Sequence, residues 1–210
     1  VILAAGLGTR MRKADASVSL TAEQSAAADS GIKALIPVPQ PMLDYALSAL
    51  ADAGITDVCI VVSPRSDAIR ARYGRAGATA RVRVHFAVQD KPLGSADALL
   101  AAEEFTHGEP FLVVNSDNYY PSTVLARLRA EPGPAVVAYS RAGLVRGGIP
   151  PERIRAYAVL EVQGGELRRI IEKPDPATFA AFAPESRVSM NSWRFTSGIF
   201  RACRDVPPSA

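Results

Sequence analysis

The chain opens on five small or branched apolar residues, Val1-Ile2-Leu3-Ala4-Ala5, which break into Gly6-Leu7-Gly8-Thr9-Arg10-Met11. A run with no polar alternation predicts a strand covered on both faces, which places it in a parallel sheet flanked by helices. In the turn that follows, Gly6 and Gly8 leave no side chain between the peptide N–H groups and an approaching ligand, an arrangement suited to phosphate. Two common phosphate loops are excluded. A G-x-G-x-x-G fingerprint would need glycine where Met11 stands, and no G-K-[ST] ending follows the four spacers of a Walker loop.

The rest of the chain repeats the strand-to-helix rhythm. Residues 41–53 carry Met42, Leu43, Leu47 and Leu50 on a helical period, with Pro41 at the start and Gly54 at the stop. Val58 to Val62 reads as a second buried strand, 67–73 as a short helix and 82–88 as a strand, which together argue for a largely parallel sheet. Phe111 to Asn115 is another apolar strand, 121–130 a helix, and 135–139 a further strand. Residues 141–155, rich in glycine and proline, read as a long loop. Tyr157 to Val162 and Leu167 to Ile171, joined across Gly164-Gly165, read as a hairpin, and 188–195 as a last strand. His85 and His107 have no partner in the sequence and are expected to be structural or solvated.

At 210 residues, with 48% hydrophobic and 21% charged, the chain can bury a substantial core and is not disordered as a whole. We expect one domain. The net charge of +3 comes from scattered arginines without interleaved aromatics, which argues against nucleic acid and suits a small anionic substrate. Cys59 and Cys203 form no metal pattern and read as reduced core thiols. With no apolar run of membrane-spanning length and no signal segment, a cytoplasmic location is expected and no membrane partner.

The segment Gly6-Leu7-Gly8-Thr9-Arg10-Met11 resembles the G-x-G-T-R-M signature of sugar-1-phosphate nucleotidylyltransferases. Four further segments follow in the family's order. Lys33-Ala34-Leu35-Ile36-Pro37-Val38 is similar to P-K-x-L-x-P-V, with Ile32 in place of the proline and a longer separation from Arg10. Gln89 to Gly94 is similar to the Q-x-x-x-x-G turn, Ser116-Asp117-Asn118 to a G-D or D-N motif, and Glu172-Lys173-Pro174 to E-K-P.

The resemblance implies a nucleotidyltransferase sandwich of the α/β class, Rossmann-like and GT-A-like, with three layers around a mixed, mainly parallel sheet. It implies transfer of a nucleotidyl group from a nucleoside triphosphate, UTP or dTTP favoured, to a sugar 1-phosphate, with release of pyrophosphate and Mg2+ as cofactor. By the same resemblance Arg10 and Lys33 offset phosphate charge and Asp117 binds the metal. Ala5, Gly6, Gly8, Thr9, Gln89 and Gly94 meet the nucleotide, and Glu172, Lys173 and Asn191 the sugar phosphate. The segment 14–30 stands as an insertion; the sequence leaves open whether it covers the nucleotide, serves oligomer contacts, or does neither. A second metal carboxylate is expected beyond residue 210. Two other readings stay open: a cytidylyltransferase acting on a non-sugar alcohol phosphate, and a regulatory module that binds nucleotide sugar without turnover.

Overall fold

The computed structural model describes residues 1–6, 25, 32–37, 39–75, 79–183 and 185–207. Gly8, Thr9 and Arg10 lie outside the described residues, as does the 14–30 segment apart from Ser25. The chain forms two compact units: Val1–Ala135 with Trp193–Ala210, and Val136–Ser192.

In chain order the first unit contains β1 (Ile2–Leu3), a 3-10 turn (Lys33–Leu35), α1 (Met42–Asp52), β2 (Asp57–Val62), α2 (Asp67–Tyr73), β3 (Arg83–Val88), α3 (Ser95–Ala101), α4 (Glu103–Thr106), β4 (Phe111–Asn115) and α5 (Ser122–Ala130). After β5 (Ala135–Val136) the chain enters the second unit, which holds β6 (Tyr139–Ser140), α6 (Arg141–Arg146), α7 (Pro151–Ile154), β7 (Ala158–Gln163), β8 (Glu166–Ile171), α8 (Pro176–Ala181) and β9 (Arg187–Ser189). It then returns through β10 (Trp193–Phe195) and α9 (Gly198–Asp205).

The larger sheet runs β3-β2-β1-β4-β10-β5. Its β1, β2, β3 and β4 are mutually parallel, and β10 is antiparallel to β4. The apolar run at the start of the chain is therefore central, as its lack of polar alternation requires. Period-two alternation then sorts the core. Val1, Ala5, Cys59, Val61 and Val113 pack with Ala98 and Leu99 of α3 and Cys203 of α9. The intervening Ile2, Val58, Ile60, Val62 and Val114 are at most 1% exposed, so the opposite face is covered as well. On that side α5 packs on β4 and β10 and against α1. Helices on both faces of a mixed, mainly parallel sheet are the expected three-layer α/β class.

The second unit is built on an antiparallel sheet, β6-β9-β7-β8. The hairpin between β7 and β8 turns through Gly164 and Gly165, at φ of 60° and 83°, both in the left-handed region that glycine enters without a Cβ penalty. Val159, Val188, Ile154 and Phe179 form its small core.

Three expectations are corrected. The strand expected at 135–139 is two short strands, β5 and β6, in different sheets, and the strand expected at 188–195 is likewise split into β9 and β10. Asn191, at φ 56°, turns the chain out of extended geometry and ends the second of these. The loop expected at 141–155 contains α6 and α7, the first capped by Ser140, whose Oγ accepts from the Gly143 N–H at 3.2 Å.

Candidate active site

Parallel strands deliver their carboxyl ends to one edge of the sheet, and ligands of open α/β sheets bind there, next to the place where strand order reverses. Here β1 is that place, with β2 on one side and β4 on the other. The register pairs Leu3 with Asn115 and Leu3 with Val61, so the chain leaves β1 at Ala4–Gly6 between the exits of β4 and β2. The Ser116 N–H donates to the Leu3 carbonyl at 3.1 Å and the Ala4 N–H to the Val61 carbonyl at 2.8 Å, extending the ladder up to the turns.

Asp117 sits on the turn after β4. That turn is closed by Tyr120, only 1% exposed, whose hydroxyl accepts from the Asn115 N–H at 3.2 Å and from Asn118 Nδ2 at 3.1 Å. Lys33 arrives from 84 residues earlier and its Nζ donates to Asp117 Oδ2 at 3.0 Å. It is carried by the 3-10 turn, anchored by the buried Ala34 and packed on α1. The two positions read as a cation and a metal carboxylate are thus brought together.

Gln89 leaves β3 with its N–H bonded to the Val62 carbonyl at 2.9 Å, and the residue is buried, 7% exposed. Both hydrogens of Nε2 are used: one reaches the Gly94 carbonyl and the other Asp97 Oδ2, each at 2.9 Å. Gly94 holds φ 104° and ψ −179°, a conformation closed to residues with a Cβ, so the turn before α3 depends on glycine. Ala5, Ser63, Pro64, Arg65, Gln89, Asp90 and Pro92 line a cavity of about 440 Å³ at this edge. Its wall after β2 is fixed by Arg70, whose guanidinium donates to the Ser63 and Pro64 carbonyls at 3.2 Å, and by a 2.9 Å bond between the Ser63 and Ser66 hydroxyls.

Sequence reasoning missed Asp97 and this Ser63–Ser66 wall. Spacing offered a signal for both: an acidic residue in the first turn of α3, and Ser-Pro at the carboxyl end of a buried strand.

The remaining candidates lie in the second unit. Glu172 and Lys173 are exposed at the end of β8, Lys173 at φ 43°. The chain then enters α8 through Asp175, whose Oδ1 accepts from the N–H groups of Ala177 and Thr178 at 2.9 and 3.0 Å. The Thr178 hydroxyl and these amides hold the Asp175 carboxyl below its ordinary pKa. Exposed Asn191 follows β9, its N–H donating to Ser189 Oγ at 3.1 Å. Trp193, which opens β10 in the first unit, is half-buried against that unit's core and stacked on Phe195 at 5.5 Å.

The donor chemistry of Asp117 fits magnesium. It offers a hard oxygen, 30% exposed, at an open edge, and no group of three or more His, Cys, Asp or Glu able to hold a metal occurs among the described residues. Magnesium takes one or two carboxylates and completes its shell with phosphate and water, so a lone carboxylate suits an ion that arrives with a triphosphate.

The nucleotidyl transferase family model matches residues 1–210, the whole of the chain. The chain belongs to the nucleotidyl transferase family. The chain is 34% identical over 182 residues to a glucose-1-phosphate thymidylyltransferase of Xanthomonas campestris pv. campestris, covering 83% of the chain and 54% of that protein. It is 26% identical to the UTP–glucose-1-phosphate uridylyltransferase YngB of Bacillus subtilis, covering 98% of the chain and 72% of that protein. A solved UDP-glucose pyrophosphorylase, complexed with UDP-glucose, superposes with a TM-score of 0.74 at 18% identity, covering 99% of the chain and 79% of that structure, a likeness of fold. The chain spans about half the length of the first of these relatives. Among the described residues no helix is long and apolar enough to cross a membrane.

Proposed function

We propose that the chain catalyses transfer of a nucleotidyl group from UTP or dTTP to a sugar 1-phosphate, releasing pyrophosphate. The observation that carries this reading is the Lys33–Asp117 pair, a cation and a carboxylate held 3.0 Å apart beside the turn that leaves β1. A phosphate oxygen of the sugar 1-phosphate attacks the α-phosphorus in line; the new P–O bond forms as the bond to pyrophosphate breaks. No protein nucleophile is needed, so the chain's task is to hold two anions together and offset the charge that develops.

Gly6 opens the peptide N–H groups of the turn to phosphate, and Arg10 and Lys33 supply positive charge. Asp117 would hold magnesium, which when bound neutralises triphosphate charge and polarises the α-phosphate. The pair is solvent-accessible and costs little to separate, so Lys33 can turn to phosphate as Asp117 turns to the cation. The same proposal gives Ala5, Gly8, Thr9, Gln89 and Gly94 to the nucleotide and Glu172, Lys173 and Asn191 to the sugar phosphate. A uridine or thymidine base is favoured because an amide with both Nε2 hydrogens committed can offer its carbonyl to the N3–H of either. The relatives named as glucose-1-phosphate thymidylyl- and uridylyltransferases support glucose 1-phosphate as the first acceptor to try.

The test is to incubate the full chain with Mg2+, each nucleoside triphosphate and a panel of sugar 1-phosphates, and measure pyrophosphate. Release with UTP or dTTP that depends on the sugar phosphate is expected. Release only with CTP and a non-sugar alcohol phosphate, or none with any pair, overturns the reading.

A further inference from the structure

Gln89 can address a base in two opposite senses, and the choice between them lies outside the cavity. A primary amide turned with its carbonyl outward accepts a hydrogen bond; turned by half a revolution it donates one. Uracil and thymine present a donor at N3, whereas cytosine presents an acceptor there. The orientation of one amide therefore separates the two kinds of pyrimidine.

We propose that Asp97 is a positioning residue that sets pyrimidine preference by holding the Gln89 amide with its carbonyl available to the ligand. This rests on the reading that Gln89 meets the nucleotide base. Two acceptors face Nε2: the Gly94 carbonyl, fixed by the backbone of the turn, and Asp97 Oδ2 on the first turn of α3. Rotating the amide would set Oε1 against both oxygens, losing two hydrogen bonds and adding repulsion from an ionised carboxylate. The bond to Asp97 is charge-assisted and so the stronger of the two. Burial of Gln89 removes the water that would otherwise compensate either orientation. Any other side chain at 97 that keeps the helix but cannot accept leaves the Gly94 carbonyl as the sole guide.

Binding of UTP and of CTP to the full chain, each with Mg2+, is to be measured for the natural sequence, Asp97→Asn, Asp97→Ala and Gln89→Ala. The ratio of the two affinities is the readout, because a residue that only supports the fold would weaken both nucleotides together. The natural chain is expected to favour UTP. Asp97→Ala should lower that preference about tenfold, chiefly by admitting CTP, and Asp97→Asn, which keeps an acceptor without the charge, by less. The Gln89 side-chain amide resonances should shift in both Asp97 variants, and this reading survives if Asp97→Ala does not fold, since Asp97→Asn is nearly isosteric. An unchanged ratio in the Asp97 variants, with UTP binding still lost in Gln89→Ala, overturns the role of Asp97 alone. Unchanged UTP binding in Gln89→Ala overturns the base site itself, and the role of Asp97 with it.

Discussion

Replacing Lys33 by alanine should separate turnover from stability. The Lys33 and Asp117 side chains are 43% and 30% exposed, so their 3.0 Å contact competes with water and is screened by salt. Pairs of this kind contribute about 0.2–1 kcal/mol. The turn bearing Lys33 is held by other means: buried Ala34, the Leu35 N–H on the Ile32 carbonyl at 3.0 Å and the Met42 N–H on the Ile36 carbonyl at 3.1 Å. None of these needs the ammonium. Lys33→Ala should therefore lower Tm by no more than about 2–4 °C in a chain of this size. Turnover is another matter, since a pre-placed charge facing a developing anion is worth about 10²–10³ in rate, or roughly 2.7–4 kcal/mol. The assay pairs a thermal melt with pyrophosphate release from UTP and glucose 1-phosphate under Mg2+. A large drop in Tm with turnover intact would refute the reasoning, because the pair would then be a structural tie between the Lys33 turn and the end of β4.

The Tyr73 hydroxyl donates to Asp44 Oδ1 at 2.6 Å and joins α2 to α1, with burial the main cause that raises its pKa. Tyr73→Phe should cost about 1–2 kcal/mol in a urea melt and leave nucleotide binding unchanged. The Arg83 guanidinium, hydrogen-bonded to both oxygens of Asp57, holds that carboxyl down at about 2, from 3.8, with a smaller contribution from Thr56. Because the folded pKa is the lower one, this contribution is whole above pH 3.8 and fades as pH falls through about 2. Asp57→Asn should accordingly narrow the difference between melts at neutral pH and near pH 2, modestly for so exposed a group. Burial raises the thiols of Cys59 and Cys203 above the ordinary 9.0, so iodoacetamide at neutral pH should spare both in the native chain and modify both in denaturant.

Strands β1, β2 and β4 were legible because each is an apolar run with little polar interruption, β3 because Arg83 and His85 alternate with apolar residues, and α1 because its leucines recur on a helical period. What failed was local. Two breaks, after Val136 and at Asn191, carry the chain between sheets; the first falls inside an unbroken apolar run, 135–139, and the second inside a run, 188–195, whose side chains alternate as a single strand would. Nothing in the side-chain pattern records that the Val137 N–H bonds the Ser192 carbonyl at 3.0 Å, or that Asn191 sits at φ 56°. Residues 141–155 hid two helices because α6 buries no residue and α7 only Ile154, so neither shows an apolar face. In the candidate site, motif order pointed to Lys33, Gln89, Gly94 and Asp117. The sequence did not disclose that Lys33 and Asp117 pair, since 84 residues separate them, or that the Gln89 amide is already committed to Asp97.

The central claim is that a metal-bound triphosphate sits at the carboxyl ends of β1 and β4. Paramagnetic broadening by Mn2+ in the presence of UTP tests it most directly, read on the backbone amides of the full chain. Broadening centred on Ala5, Gly6 and Asp117, and abolished by Asp117→Ala, is the predicted result; broadening centred elsewhere, or unchanged in that variant, would contradict the account.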